Sequence, residues 1–266
     1  MNTVSQHVHL KLWSYVTEMD HSLRNYRFQH SPNGMNSFSV TVKETDLWVA
    51  VGEEPLSAGL PGELEQYIWR QRRLLEAYIE KEPFFRETLD PYLVSAAAPP
   101  IAREMSYAGN AAGVGPMAAV AGAFAQYAGL WLMEAKNYSQ VIVENGGDLF
   151  FSTSQSLKVG VYAGSSPFSG KLALRIEPNP AIRGLCTSSG KVGPSLSRGV
   201  ADAAVILARD ALIADAAATA AGNLVQSPGD LQKAVDFARK LPGVEGVLVI
   251  LDDKMAAWGA IQLEEY

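Results

Sequence analysis

The chain has 266 residues, of which 22 are basic and 28 acidic, giving a formal net charge of −6. That is enough chain for one large domain or two small ones, with a core that needs no disulfide or metal staple. An acidic balance without a basic stripe excludes reliance on phosphate-backbone contacts, so no nucleic acid is expected as a partner.

Cysteine and histidine usage narrows the chemistry further. The single cysteine, Cys186, rules out an intrachain disulfide and a multi-thiolate metal site. All histidines (His7, His9, His21 and His30) lie at the start of the chain, which leaves the remainder without imidazole for a Ser–His–Asp or Cys–His arrangement.

Taken in chain order, residues 1–24 alternate weakly at Val8, Leu10 and Leu12 and read as an N-terminal arm or edge strand, separate from a single domain over 25–266. His7, His9 and Lys11 interrupt the apolar positions, so no signal peptide is expected. Residues 38–51 read as a hairpin turning at Lys43-Glu44-Thr45-Asp46. Residues 62–81 place Leu64, Tyr67, Ile68, Leu75, Tyr78 and Ile79 on one helical stripe, with Arg70, Arg72 and Arg73 as the solvated face. Pro83, Pro91, Pro99 and Pro100 break up the next segment, and a second helix is predicted from about Met117 to Leu132. The uncharged run from Met105 to Met133 is mostly alanine and glycine, which suits a buried helix better than a membrane span; no membrane partner and a cytoplasmic location are expected.

Farther on, Asn145-Gly146-Gly147-Asp148 between two apolar runs is a strong hairpin signal. Extended stretches are predicted at 157–162, 171–176 and 203–207. Asp210 can cap a helix through Ala221, and Ser227-Pro228-Gly229-Asp230 is a capping box with proline at the first helical position. Strands at 247–251 and 255–261 close the chain around Asp252-Asp253. Strands, two helices and strands, followed by the same order again, argue for α+β, with antiparallel sheets and helices packed on one face.

Two familiar motifs fail on inspection. Gly113-Val114-Gly115-Pro116-Met117-Ala118 has the letters of a dinucleotide fingerprint, but no buried strand precedes it. Gly184 to Lys191 has the wrong spacing for a P-loop, and Val192 follows the lysine where a hydroxyl is needed. The segment Cys186-Thr187-Ser188-Ser189-Gly190-Lys191 remains, with hydroxyls, glycine and an ammonium suited to an anion; the same composition also describes an ordinary polar loop. If exposed there beside Lys191, the Cys186 thiol would have a lowered pKa and be available for chemistry. Asp215 and Thr219 stand four apart among alanines, so on a helix a carboxylate and a hydroxyl share one face. They could hold a hard cation such as magnesium; otherwise Asp215 could simply face water or cap a neighbouring backbone amide.

Glu144-Asn145-Gly146-Gly147-Asp148, Thr187-Ser188-Ser189-Gly190 and Asp215-Ala216-Ala217-Ala218-Thr219 resemble, in order and approximate spacing, the ApbE family of magnesium-dependent FAD:protein FMN transferases. Together with Glu44-Thr45-Asp46-Leu47 and Gly115-Pro116-Met117-Ala118-Ala119 they are closer still to an uncharacterised cytoplasmic branch of it. The resemblance implies a duplicated T-fold-like architecture made of two intertwined α+β halves. It implies Asp215 and Thr219 as metal ligands, and Asn145, Gly146, Gly147, Asp148, Thr187, Ser188, Ser189, Gly190 and Lys191 as contacts for FAD, FMN or a similar anionic small molecule. The family's alanine-lysine-glycine step and its histidine are missing: Gly113 to Pro116 and Pro194-Ser195-Leu196-Ser197-Arg198-Gly199 stand in their places. Four readings stay open: binding of a flavin nucleotide with magnesium between the halves, an active flavin transferase, a protein of sulfide assimilation and homocysteine formation with Cys186 as the catalytic residue, and a non-catalytic regulator. Homo-oligomerisation also stays open.

Overall fold

The computed structural model describes residues 7–12, 34–52, 56–190 and 198–266. After β1 (His7–Leu12), strands β2 (Asn36–Val42) and β3 (Thr45–Val51) form the expected hairpin. Its turn is only Lys43-Glu44, with Lys43 at φ 53°. Thr45 and Asp46, expected in the turn, are already paired in the strand, and the Thr41 hydroxyl donates to Asp46 Oδ1 at 2.9 Å.

Helix α1 (Leu60–Lys81) buries Leu64, Ile68 and Leu75. Its arginines are not simply solvated: Arg72 is half-buried, donates to Thr45 Oγ1 at 2.7 Å and pairs with Glu44 and Glu76, tying the helix to the β2–β3 turn. Arg70 and Arg73 lean over the rings of Tyr67 and Trp69, each at 5.8 Å. The prolines that follow initiate structure as well as interrupting it. After the short α2 (Phe84–Glu87), α3 (Pro100–Ala112) starts with proline at its first position and ends on Gly113 at φ 77°. A 3₁₀ turn (Pro116–Ala119) then leads into α4 (Val120–Lys136). The uncharged run is therefore shared between two helices; among the described residues no helix is long and apolar enough to cross a membrane.

Strands β4 (Val141–Asn145) and β5 (Asp148–Thr153) join through Gly146-Gly147, with φ values of 65° and 109°. A two-residue turn of that hand demands positive φ at both positions, which glycine supplies without strain. Strands β6 (Ser156–Val161), β7 (Leu172–Ile176), β8 (Asn179–Ser188) and β9 (Ala203–Ala208) follow. Asp210 caps α5 (Ala211–Asn223), accepting from the Ile213 amide at 2.9 Å. The capping box at Ser227 opens α6 (Leu231–Ala238), and β10 (Val244–Leu251), β11 (Lys254–Gly259) and β12 (Gln262–Glu265) complete the chain.

Eight strands form one antiparallel sheet in the order β11-β10-β9-β8-β5-β4-β3-β2. Each half of the chain supplies four of them as hairpin, helices, hairpin: β2–β5 around α1 to α4, and β8–β11 around α5 and α6. The β5–β8 pair is the seam. A second sheet, β1-β6-β7-β12, contains a parallel β1–β6 pair and covers the face away from the helices. The expected single helical layer is thus half of the picture. The large sheet is buried on both sides: Leu47, Val49 and Val143 face the helices, while Trp48, Ala50 and Ile142 face the small sheet. A period-two alternation in which both sets are apolar reads as a continuous apolar run and hides the second layer.

Three glycines let these layers meet. A Cβ on Gly122 would stand 2.3 Å from the Ala211 carbonyl oxygen, one on Gly184 2.4 Å from the Ala211 Cα, and one on Gly129 2.0 Å from the Phe150 ring. Gly62, on the open face of α1, would meet nothing within 4 Å. Gly122→Ala is therefore expected to lower stability by about 1–3 kcal/mol despite alanine's better helix propensity, while Gly62→Ala is neutral or slightly stabilising. Denaturant melts of the two variants check this; equal effects would remove the close-approach explanation.

Candidate functional site

At the seam the register of β5 and β8 pairs Leu149 with Leu185, so Asp148 at the start of β5 lies beside Cys186. Asp148 and Cys186 are buried, at 7% and 0% exposure. The Asp148 carboxylate accepts from the Thr187 amide at 3.3 Å, and the Cys186 thiol donates to the Ala211 carbonyl at 3.4 Å, with Asp148 also in hydrogen-bonding reach. Asn145, at the other end of the Gly146-Gly147 turn, donates to the Ala121 carbonyl at 3.0 Å, while Glu144 accepts from the Gly147 amide at 2.9 Å.

Above the seam, α4 and α5 cross close to both of their N-termini. Asp215 Oδ2 accepts from the Gly122 amide at 2.8 Å and so caps α4. In return Gln126, from α4, accepts from the Ala211 amide at 2.8 Å and donates to Asp210 Oδ2 at 2.9 Å, completing the cap of α5. The first amides of a helix have no partner within it, so each helix supplies what the other lacks. Of the two local roles open to Asp215, capping a neighbouring amide is the one seen here. Thr219, one turn later, is half-buried, as is Asp215.

Acidic groups dominate the electrostatics. Burial, reinforced by the Glu144 charge, pushes Asp148 up to about 7 against the opposing bonds from Cys186 and Thr187. Burial and then the Asp148 charge raise Asp215 well above the usual carboxylate range, while the Gly122 and Ala121 amides oppose the rise. Burial, followed by the Asp148 and Asp215 charges, pushes the Cys186 thiol well up.

The structure brings Asn145, Asp148, Cys186 and Asp215 together around α4 and α5, and separates other expected contacts. Cys186, Thr187 and Ser188 are not in a loop; they end β8. Alternation along that strand turns Cys186 and Ser188 to the helices and Thr187 to the opposite face, so Thr187 contributes its amide to this cluster. Ser189 is buried, with its hydroxyl donating to the Ala201 carbonyl at 3.4 Å; Gly190 packs on Gly199. Gly146 is exposed at the turn and Gly147 is buried. Lys191 lies outside the described residues. The expectation of an exposed Cys186 with a lowered pKa is corrected: the strand buries the thiol among carboxylates, which disfavour a thiolate. Sequence reasoning assigned Gln126 no partner, although a primary amide in an otherwise apolar helix signals a buried one.

The comparisons with known proteins agree with this architecture. The family model described as "AbpE bacteria" matches residues 28–257. The chain belongs to this family. Among its relatives, a UPF0280 protein of Methanocella arvoryzae is 45% identical over 194 residues, 73% of this chain and 78% of the relative. Another, from Methanosphaerula palustris, is 40% identical over 225 residues, 85% of this chain and 88% of the relative. The AbpE fold also matches solved structures. The apo flavinyl transferase ApbE of Pseudomonas stutzeri superposes with a TM-score of 0.57 at 14% identity, covering 85% of this chain and 94% of that one. The flavin transferase ApbE of Vibrio cholerae gives 0.57 at 12% identity, covering 85% and 97%. At such identities the likeness is one of fold.

Two predictions follow from the buried groups. A carboxyl whose folded pKa is raised binds more protons in the native state, so its contribution to stability is present below about pH 4 and is lost as pH rises toward 7. Asp148→Asn keeps an acceptor for the Thr187 amide and cannot ionise. Its stability should therefore gain on wild type by up to a few kcal/mol between pH 4 and 7; parallel stability–pH curves would refute the shift. For Cys186, native protein should label with iodoacetamide at least about a hundredfold more slowly than unfolded protein, because neither access nor thiolate is provided. Rapid native labelling would restore an exposed, reactive thiol.

Proposed function

We propose that this protein binds a flavin nucleotide, FAD or FMN, with magnesium at the seam between its two halves. The observation that carries the reading is the pair Asp215 and Thr219, one turn apart at half-buried positions of α5, with Asp215 close to Asp148 and bonded to α4 at Gly122, next to the Ala121 carbonyl that Asn145 takes. Among the described residues no group of three or more His, Cys, Asp or Glu side chains could hold a metal ion. A carboxylate and a hydroxyl fit a hard cation that completes its shell with water and ligand oxygens, as magnesium does with phosphates. Asp215 and Thr219 would hold it, and bound there it would neutralise ligand phosphate in an otherwise acidic site. The Asn145–Asp148 turn and the end of β8 would frame the nucleotide. What their names say the matched solved proteins do, flavin transfer, supports a flavin as the ligand class.

Calorimetry with FMN and FAD tests the reading. Micromolar affinity in magnesium should fall at least about tenfold in EDTA, and Asp215→Asn should reproduce the loss, since one charged ligand of the cation is removed. Asn retains an acceptor for the Gly122 amide, so the variant is expected to stay folded. Equal affinity with and without magnesium, or no binding of either flavin, would sink the proposal.

A further inference from the structure

The crossing of α4 and α5 contains a polar side chain, Gln126, whose hydrogen bonds go to Ala211 and Asp210 rather than to Asp215. Gln126 is buried at 9% exposure, and both ends of its amide are used across the helix boundary. Its oxygen takes the first amide of α5, at Ala211; its nitrogen holds Asp210 Oδ2, whose other oxygen takes the Ile213 amide. Asp215 lies one turn along α5 and closes the return contact to Gly122, one turn before Gln126 on α4. The two contacts form a closed loop through both helices. The Cys186 thiol and the Asn145 amide bond carbonyls here, at Ala211 and Ala121, while Gly122 and Gly184 pack closely against the Ala211 backbone; Gln126 is the side chain that takes the first amide of α5.

We propose that Gln126 is a positioning residue for the seam site: by fixing the start of α5 to α4 it sets where the Asp215 carboxylate stands. In its ligand-binding part the inference rests on the flavin–magnesium reading above. The chemistry is specific to an amide. Ionised glutamate could accept from Ala211 but would face the Asp210 carboxylate with another charge and no donor, so the variant is read at a pH high enough that the pair does not share a proton. The loss should therefore be reversible by exchanging the partners: in Gln126→Glu/Asp210→Asn the new Asn amide can donate to the new Glu carboxylate, and its oxygen can still take the Ile213 amide.

Two readouts on the full chain test this. The first needs no ligand: native-state hydrogen exchange at the Gly122 amide, which Gln126 does not touch. Gln126→Glu should lower its protection at least about tenfold, and the double variant should recover most of it. The second is the magnesium concentration needed for half-maximal FMN binding, which should rise at least about tenfold in Gln126→Glu and recover in the double variant. Loss of overall stability alone would not move that requirement for the folded molecules. Unchanged Gly122 protection in Gln126→Glu overturns the inference, as does a double variant that recovers neither readout or fails to fold. If wild type binds no flavin with magnesium, the proposed function falls, and Gly122 exchange alone decides the role of Gln126.

Discussion

The architecture turns on the first residue of α5. Ala211 offers its amide to Gln126 and its carbonyl to the Cys186 thiol, with Gly122 and Gly184 packed against its backbone. At one point α4, α5 and the end of β8 are therefore locked together, and each helix N-terminus is closed by a side chain from the other. An uncapped helix end buried at such a junction would leave amides without water or partner, at roughly 1–3 kcal/mol each. Reciprocal capping removes that cost and fixes the helices at the same time. It also explains why the crossing is built from glycine and alanine: the caps are short, so the backbones must come close enough for Asp215 and Gln126 to reach.

The junction lies over the line where the two halves of the large sheet join. β5 and β8 come from different halves, and their pairing puts Asp148 beside Cys186. A carboxyl buried next to a thiol, with Glu144 nearby, is an unfavourable arrangement for anions, which is why Asp148 and Cys186 both hold their protons more tightly than in water. Burial and mutual repulsion disfavour the ionised forms of these groups, and a further anion beside them would be disfavoured for the same reason.

Much of the fold and part of the site could be read before folding was considered. The Gly146-Gly147 turn, the Asp210 cap, the capping box at Ser227 and the α1 stripe are signals carried within a few residues, and each appears where expected. So does the shared face of Asp215 and Thr219, because helical period alone sets it. Less legible were α3, whose leading prolines look like breakers until one of them is placed at a helix start, and β8, whose run of hydroxyls looks like loop. The small sheet was hidden because strands such as β3 are apolar on both faces. A one-residue alternation carries no information when both alternating sets are buried.

The sequence by itself determined the local turns, caps and helical faces, the α+β class and, through blocks of matching residues, the family. Those depend on short-range sterics and on period, which a linear chain already contains. Tertiary structure alone decided that Asp215 caps α4, that Gln126 returns the favour to α5, and that Cys186 is a shielded thiol. Burial, hydrogen-bond partner and pKa are properties of what packs around a group. For these residues the packing comes from segments some 25 to 93 positions away along the chain.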